Sequence, residues 1–331
     1  MSRARKLADL AGTVTGRNLV INGSFAVSQR ATSVTGVTGD GYQAVDRFKT
    51  AISSAGAFTV SQAADGPAGF STCHKFDCTT AKSSLDAGNY ILFFQTIEAR
   101  NLQSLGFGSS GAKEITLSFY VKSNKTGTYI AELALGDATN ASNNSQAYTI
   151  NSANTWERKT LTYAAQTVDV INNDSGEGMN IFFWLGAGSS WSGGTLNSNV
   201  WANTAGANRA AGQVNLADST SNEWSITGVQ LEVGSSATDF EHEDAGTTLR
   251  KCKRYYEILD TLVYGTQYGS NGASSLGTFY WTEQKRAAPT MSADTNSGSH
   301  TLQEVNTSGG YIYKSSYSAS SVGTLRGDAE L

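Results

Sequence analysis

Ile115-Thr116-Leu117-Ser118-Phe119-Tyr120-Val121-Lys122 alternates apolar and mostly polar side chains with a period of two. A strand sends successive side chains to opposite faces, so this spelling predicts a strand with one face on a core. Residues 89–97, 129–135, 156–163 and 180–185 read as further strands. Turn-forming clusters separate them, as at Gly136-Asp137-Ala138-Thr139-Asn140 and Asn172-Asn173-Asp174-Ser175-Gly176. In Trp224-Ser225-Ile226-Thr227-Gly228-Val229-Gln230-Leu231-Glu232-Val233 the apolar parity is even before Gly228 and odd after it. A β-bulge at Gly228 would keep both halves on the core. Many short strands without alternating long helices predict an all-β chain built on a β-sandwich or jelly roll.

The pattern changes near Asp244. Leu249, Cys252, Tyr255, Tyr256 and Leu259 recur every three to four residues, predicting a short helix. Strands resume at 276–283, 301–305 and 311–315, which predicts a smaller C-terminal β domain. The opening residues place Leu7 and Leu10 at helical spacing over 4–11, too short a helix to stand alone. The expected organisation is an N-terminal segment with a short helix at 1–17, a β-sandwich at 18–245, and the helix with a smaller C-terminal β domain at 246–331. No repeat of 20–50 residues or sustained heptad marks a fibrous shaft.

Composition narrows the function. Charged residues make up 16% of the chain, against roughly 25% in ordinary soluble proteins. Glycine is abundant (35 residues) and proline rare (2), which fits tight turns between strands better than a proline-rich linker. A net charge of −4 argues against nucleic acid, because phosphate binding needs a concentrated positive field. No stretch approaches the ~20 apolar residues of a membrane span, and the basic N-terminus lacks the apolar core of a secretory signal, so synthesis in a cytoplasm is expected. Cys73 and Cys78 point to opposite faces of one strand and cannot bond, so all three cysteines are expected as unbridged thiols.

Several phrases resemble bacteriophage tail-fibre and receptor-binding proteins that carry a jelly-roll domain similar to carbohydrate-binding modules. They are Asn18-Leu19-Val20-Ile21-Asn22-Gly23-Ser24-Phe25, Val27-Ser28-Gln29-Arg30, Val45-Asp46-Arg47-Phe48, the run from Ile226 to Gly234 followed by Ala237-Thr238-Asp239-Phe240-Glu241, and Cys252-Lys253-Arg254-Tyr255-Tyr256. Lys285-Arg286-Ala287-Ala288-Pro289-Thr290 and Asp328-Ala329-Glu330-Leu331 resemble fibre C-termini. The likeness covers most of the chain in order, with residues 18–25 as its opening strand. It implies a non-enzymatic virion component, commonly a homotrimer, mounted on other virion proteins through an N-terminal segment that includes Arg3, Arg5, Leu7 and Leu10. It also implies adhesion to host surface glycans without membrane insertion. A head fibre, or a capsid or tail decoration without a receptor role, is the alternative; a polysaccharide depolymerase is a further one. Sugar-binding jelly rolls often hold a structural calcium, for which the matching segments offer Asp46 and Glu232; no other cofactor is implied.

The chemistry-bearing residues are few. Gly106-Phe107-Gly108-Ser109-Ser110-Gly111 mimics a dinucleotide fingerprint, but a strand follows where a helix must receive the pyrophosphate, so a loop is expected. His74, His242 and His300 are widely separated and accompany no catalytic motif. Asp239, Glu241 and Glu243 share a face if their segment is a strand; a glycosidase pair, calcium ligands and an acidic helix approach all remain open. Aromatic rings are the binding candidates, because sugar C–H faces stack on exposed rings. Trp184 and Trp224 lie within strands and belong to the core. Tyr280 and Trp281 are further aromatic candidates beyond the jelly-roll region. Trp191 and Trp201, in the Gly/Ser/Asn-rich stretch 186–208, and Tyr311 and Tyr313, on one strand face near the distal end, are the expected glycan contacts, with buried trimer packing the alternative for the two tyrosines.

Overall fold

The computed structural model describes residues 16–136, 141–264, 275–295, 301–314 and 321–331. The chain divides into two compact units, one ending at Glu243 and one beginning at Asp244. The first contains β1 (Ser33–Val37), β2 (Lys49–Ser53), β3 (Ala57–Ala63), β4 (Cys73–Thr80), β5 (Tyr90–Glu98) and β6 (Ile115–Ser123). It continues with β7 (Gly127–Leu135), β8 (Ser142–Ile150), β9 (Glu157–Tyr163), β10 (Glu177–Ala187), β11 (Ala202–Asn203) and β12 (Glu223–Val233). Two antiparallel sheets form, in the orders β1-β3-β4-β12-β6-β9 and β11-β8-β7-β10-β5-β2. The fold is a jelly-roll β-sandwich.

The alternation in β6 places Ile115, Leu117, Phe119 and Val121 in the core between the sheets. From β12, Trp224, Ile226, Val229 and Leu231 join them. The register between these strands shifts between Thr227 and Gln230, and Gly228 has φ +62°. A Cβ on Gly228 would lie 2.7 Å from the Phe70 ring, so the bulge requires glycine by both conformation and space. The expected parity switch is the observed one. Cys73 and Cys78 face opposite sides of β4; all three cysteines are buried and none forms a disulfide.

The polar face of β6 is not open to water. Thr116 and Ser118 are buried, as are Gln230 and Glu232 on the neighbouring strand. Two irregular segments seal this face. Residues 18–25 form no strand, contrary to the resemblance, because Asn22 and Phe25 have φ of 63° and 56°. Here the Asn18 side chain replaces a strand partner: Oδ1 accepts from the Leu231 amide at 3.1 Å, and Nδ2 donates to the Val229 carbonyl at 3.1 Å. Residues 235–243 are likewise irregular, so Asp239, Glu241 and Glu243 do not line a strand face. Glu241 instead accepts from the backbone amides of Gly16 and Asn18, which ties the two covering segments together.

The second unit opens with α1 (Ala245–Lys253), which is capped by Asp244: its carboxylate accepts from the Thr247 amide at 3.0 Å. Arg250, Lys251 and Lys253 occupy its last turn, where the helix dipole favours cations. The helix ends there, not at Leu259 as the periodicity predicts. Tyr256 begins β13 (Tyr256–Tyr264), whose aromatic and β-branched residues favour extended backbone. Pairing with β18 (Ser321–Asp328), from Tyr256 opposite Asp328 onward, overrides the helical spacing. The remaining strands are β14 (Ser275–Tyr280), β15 (Thr290–Thr295), β16 (Thr301–Gln303) and β17 (Gly309–Lys314). They complete two three-stranded sheets, β13-β18-β15 and β14-β17-β16, around Leu259, Phe279, Trp281 and Leu325. Beside this core Lys285, fully buried, is salt-bridged to fully buried Glu257; it also donates to the Lys253 carbonyl and sits 4.8 Å from the Trp281 ring centre.

Candidate functional site

Among the described residues, two of the surfaces that carry aromatic side chains outside the main core hold expected glycan contacts. The first is the outer face of the sheet containing β5, β7 and β10, where Ile130, Leu92 and Trp184 form a separate apolar cluster. Residues 188–214 fold back over it. Trp191 meets Tyr90 edge-on at 5.7 Å, packs 5.9 Å from Trp184, and donates its indole N–H to the Gly88 carbonyl at 3.2 Å. The Arg209 guanidinium lies 5.2 Å from the ring centres of Phe182 and Trp184 and 5.7 Å from that of Trp191. Its Nε donates to Glu132 at 2.8 Å, and the other Glu132 oxygen accepts from the Trp184 indole at 2.7 Å. Burial pushes the Glu132 carboxyl up, and these two donors oppose that push. The arrangement closes the face: Trp184 and Glu132 are fully buried, and Arg209 already occupies the faces of three rings.

Trp201 is likewise engaged. Its indole donates to the Ala164 carbonyl at 2.7 Å, its ring meets Phe107 at 5.6 Å, and it packs against the main core. Trp191 and Trp201 are both half-buried, and the geometry gives each a packing role.

The second surface lies in the C-terminal unit. Thr278 on β14 pairs with Tyr311 on β17, and Tyr280 pairs with Gly309. Alternation turns Phe279 inward, where it meets Trp281 at 5.2 Å, and sends Tyr280 outward at 74% exposure. The Asn306 side chain frames the adjoining turn: Oδ1 accepts from the Ser308 amide at 2.8 Å and the Gly309 amide at 3.2 Å, and Nδ2 donates to the Glu304 carbonyl at 3.1 Å. A Cβ on Gly309 would lie 2.2 Å from the Phe279 carbonyl oxygen, so only glycine permits this close approach. The result is an open pocket of about 180 Å³ lined by Thr278, Tyr280, Glu304, Asn306, Gly309 and Tyr311, among others. Tyr311 donates its hydroxyl to Glu304; partial burial, this bond and the carboxylate's charge all push the phenol up. Tyr313 pairs through its backbone with Leu276 and Thr301, and its side chain lies outside the described residues. Two residues of this pocket were not expected as contacts from the sequence: Tyr280, one of several candidate aromatics but not singled out, and Glu304, an isolated acid in a loop without any motif.

The other expected sites resolve differently. Asp46 accepts from the Gln29 backbone amide at 2.8 Å and from the Gln29 side chain, and burial pushes its carboxyl up. Glu232 accepts from the Thr238 amide at 2.9 Å, the Thr238 hydroxyl at 2.7 Å and Gln230 Nε2 at 2.9 Å. Both carboxylates are taken up by protein donors. Among the described residues, no group of three or more His, Cys, Asp or Glu is placed to hold a metal ion. Asp46 and Glu232 belong to no such group, and their carboxylates are held by Gln29 and by Thr238 with Gln230. Both oxygens of Glu241 accept from backbone amides, which gives that residue a structural role in holding the covering segments. Gly106 to Gly111 form a loop, preceded by a 3₁₀ turn (Ala99–Leu105) and followed by β6. Arg3, Arg5, Leu7 and Leu10, with the predicted helix at 4–11, lie outside the described residues.

No family model matches the chain, and none of the curated proteins does. Solved structures do. The enzymatically active domain of tailspike protein 4 from bacteriophage CBA120 is 17% identical with a TM-score of 0.35; the match covers 66% of this chain and 21% of that one. This chain thus spans about a fifth of the tailspike domain's length. A putative sugar binding protein from Bacteroides thetaiotaomicron is 13% identical over 65% of this chain and 99% of its own, with a TM-score of 0.35. A family 11 carbohydrate-binding module from Clostridium thermocellum, solved with a mixed-linked tetrasaccharide, is 11% identical over 66% of this chain and 95% of its own, with a TM-score of 0.26.

Proposed function

We propose that the chain is a non-enzymatic adhesion subunit of a virion, a tail fibre or receptor-binding protein, and that it holds host surface glycans in the Tyr280–Tyr311–Glu304 pocket. The observation that carries this reading is Tyr280, a large aromatic ring left 74% exposed beside a second tyrosine and a solvent-facing carboxylate. Exposed rings flanked by hydrogen-bonding groups mark contact surfaces, and they suit the C–H faces and hydroxyls of a pyranose. The sandwich supports the same reading from the opposite side: its outer aromatic face is closed by Arg209, which suits a scaffold. In this proposal the sandwich builds the body of a homotrimer, and the N-terminal segment bearing Arg3, Arg5, Leu7 and Leu10 mounts it on other virion proteins.

Purified full-length chain is expected to be trimeric by light scattering and to bind host cells. Tyr280→Ala should weaken that binding about five-fold or more, since ring stacking supplies on the order of 1 kcal/mol beyond the area it covers. Trimers that bind no host cell or extracted glycan would leave the decoration role, and release of reducing ends from host polysaccharide would establish a depolymerase instead.

A further inference from the structure

We infer that the Tyr280–Tyr311–Glu304 pocket selects neutral saccharides over acidic ones, with Glu304 as the residue that enforces the choice; this rests on the glycan reading above. The lining consists of Thr278, Tyr280, Glu304, Asn306, Ser308, Gly309, Gly310 and Tyr311. Among these described residues there is one carboxylate and no cation. The Asn306 oxygen and one of its two N–H donors serve the turn, which leaves the Glu304 carboxylate, the Thr278, Ser308 and Tyr280 hydroxyls and the second Asn306 N–H as the side-chain groups that can meet a ligand. A carboxylate accepts strongly from hydroxyls, and an adjacent pair of sugar hydroxyls can use both of its oxygens. Gly309 and Gly310 line the same pocket without side chains, so Tyr280 offers a ring to stack on and Glu304 an acceptor for the hydroxyls of one ligand.

A uronic or sialic acid brings a second negative charge to the same space. Even in bulk water two like charges about 4 Å apart repel by about 1 kcal/mol, a factor of roughly five in affinity. No lining cation offsets that repulsion. Glu304 also accepts the Tyr311 hydroxyl, which orients the carboxylate without neutralising it. Its backbone has φ +49°, an uncommon conformation for a side-chain-bearing residue, and it is the position through which the turn presents the acid.

The test uses the full-length chain and a panel of glucans, galactans and mannans, each paired with its C6-oxidised counterpart. In low salt, the neutral member of each bound pair should bind at least about five-fold more tightly. Glu304→Gln keeps an oxygen for Tyr311 and removes the charge, so it should bring the neutral-to-acidic ratio close to one without abolishing neutral binding. Salt at 1 M should shrink the wild-type ratio through screening. Measurable binding with a wild-type ratio near one, or a ratio unchanged in Glu304→Gln, would overturn charge selection and leave the glycan reading standing. Binding of no member of any pair by the wild-type chain would end both.

Discussion

His74→Phe is expected to flatten the acid limb of the sandwich's stability curve between about pH 6.5 and pH 3. His74 is fully buried, neither ring nitrogen has a hydrogen-bond partner, and its ring stacks on Phe93 at 4.3 Å with Phe25 and Phe76 beside it. Burial alone pulls its pKa from 6.5 to about 3, so the folded imidazole stays neutral while the unfolded one takes a proton. Within that window the unfolded chain binds the extra proton, so stability falls as pH falls, and the loss is complete below about 3. A shift of this size corresponds to about 5 kcal/mol, a large part of the 5–15 kcal/mol typical of a domain. Phenylalanine keeps the ring stack and removes the titration, whatever its extra volume costs at neutral pH. Hydrogen exchange of β4 and β12 amides from pH 7 to 4 reads the slope. An unchanged slope in His74→Phe would mean that another group drives acid unfolding.

Glu257→Ala should be the most damaging single change in the C-terminal unit. Lys285 and Glu257 are both fully buried at their side chains. Burial pulls the Lys285 ammonium down; for Glu257, burial pushes upward, but the bonds from Lys285 and Thr282 hold the carboxyl below its ordinary value. Removing the carboxylate strands a cation in the interior with the Lys253 carbonyl and the Trp281 face as its remaining contacts. Breaking a buried pair from one side costs about 3–5 kcal/mol. For a unit of this size that is a fall of roughly 15 °C or more in its melting transition. Replacing both partners with apolar residues, Glu257→Leu together with Lys285→Met, should recover most of the loss, because no charge is then left buried. Calorimetry of the full chain measures all three proteins. A loss under about 1 kcal/mol in Glu257→Ala would show that Lys285 can reach water by rearranging.

The legible parts of the fold were those where one side-chain pattern had one physical solution. The alternation in β6 and the parity switch at Gly228 each allow a single placement against the core. β8 was illegible: its Ser142, Asn143, Asn144 and Ser145 are all buried, and a polar run of this kind reads as a loop until its partners are known. The α1 boundary was missed because Tyr255, Tyr256 and Leu259 are buried at helical spacing although Tyr256 and Leu259 belong to a strand. For the site, Tyr311 could be named from strand chemistry, but Glu304 reaches it only through the Asn306 turn. The engagement of Trp191 was also out of reach, since it depends on Arg209 and Glu132, which lie in other elements and combine only in three dimensions.

The placement of the sulfur atoms gives each unit its own chemical reporter. Cys73 and Cys78 lie in the sandwich and Cys252 in α1, at 0%, 2% and 0% exposure, and burial pushes the Cys73 thiol up to about 11. A thiol in that state is neither accessible nor nucleophilic. Alkylating reagents should therefore modify a given cysteine only when its surroundings open, and the labelled peptides tell which unit opened first. Transfer from a reducing to an oxidising medium likewise adds no cross-link to the intact protein.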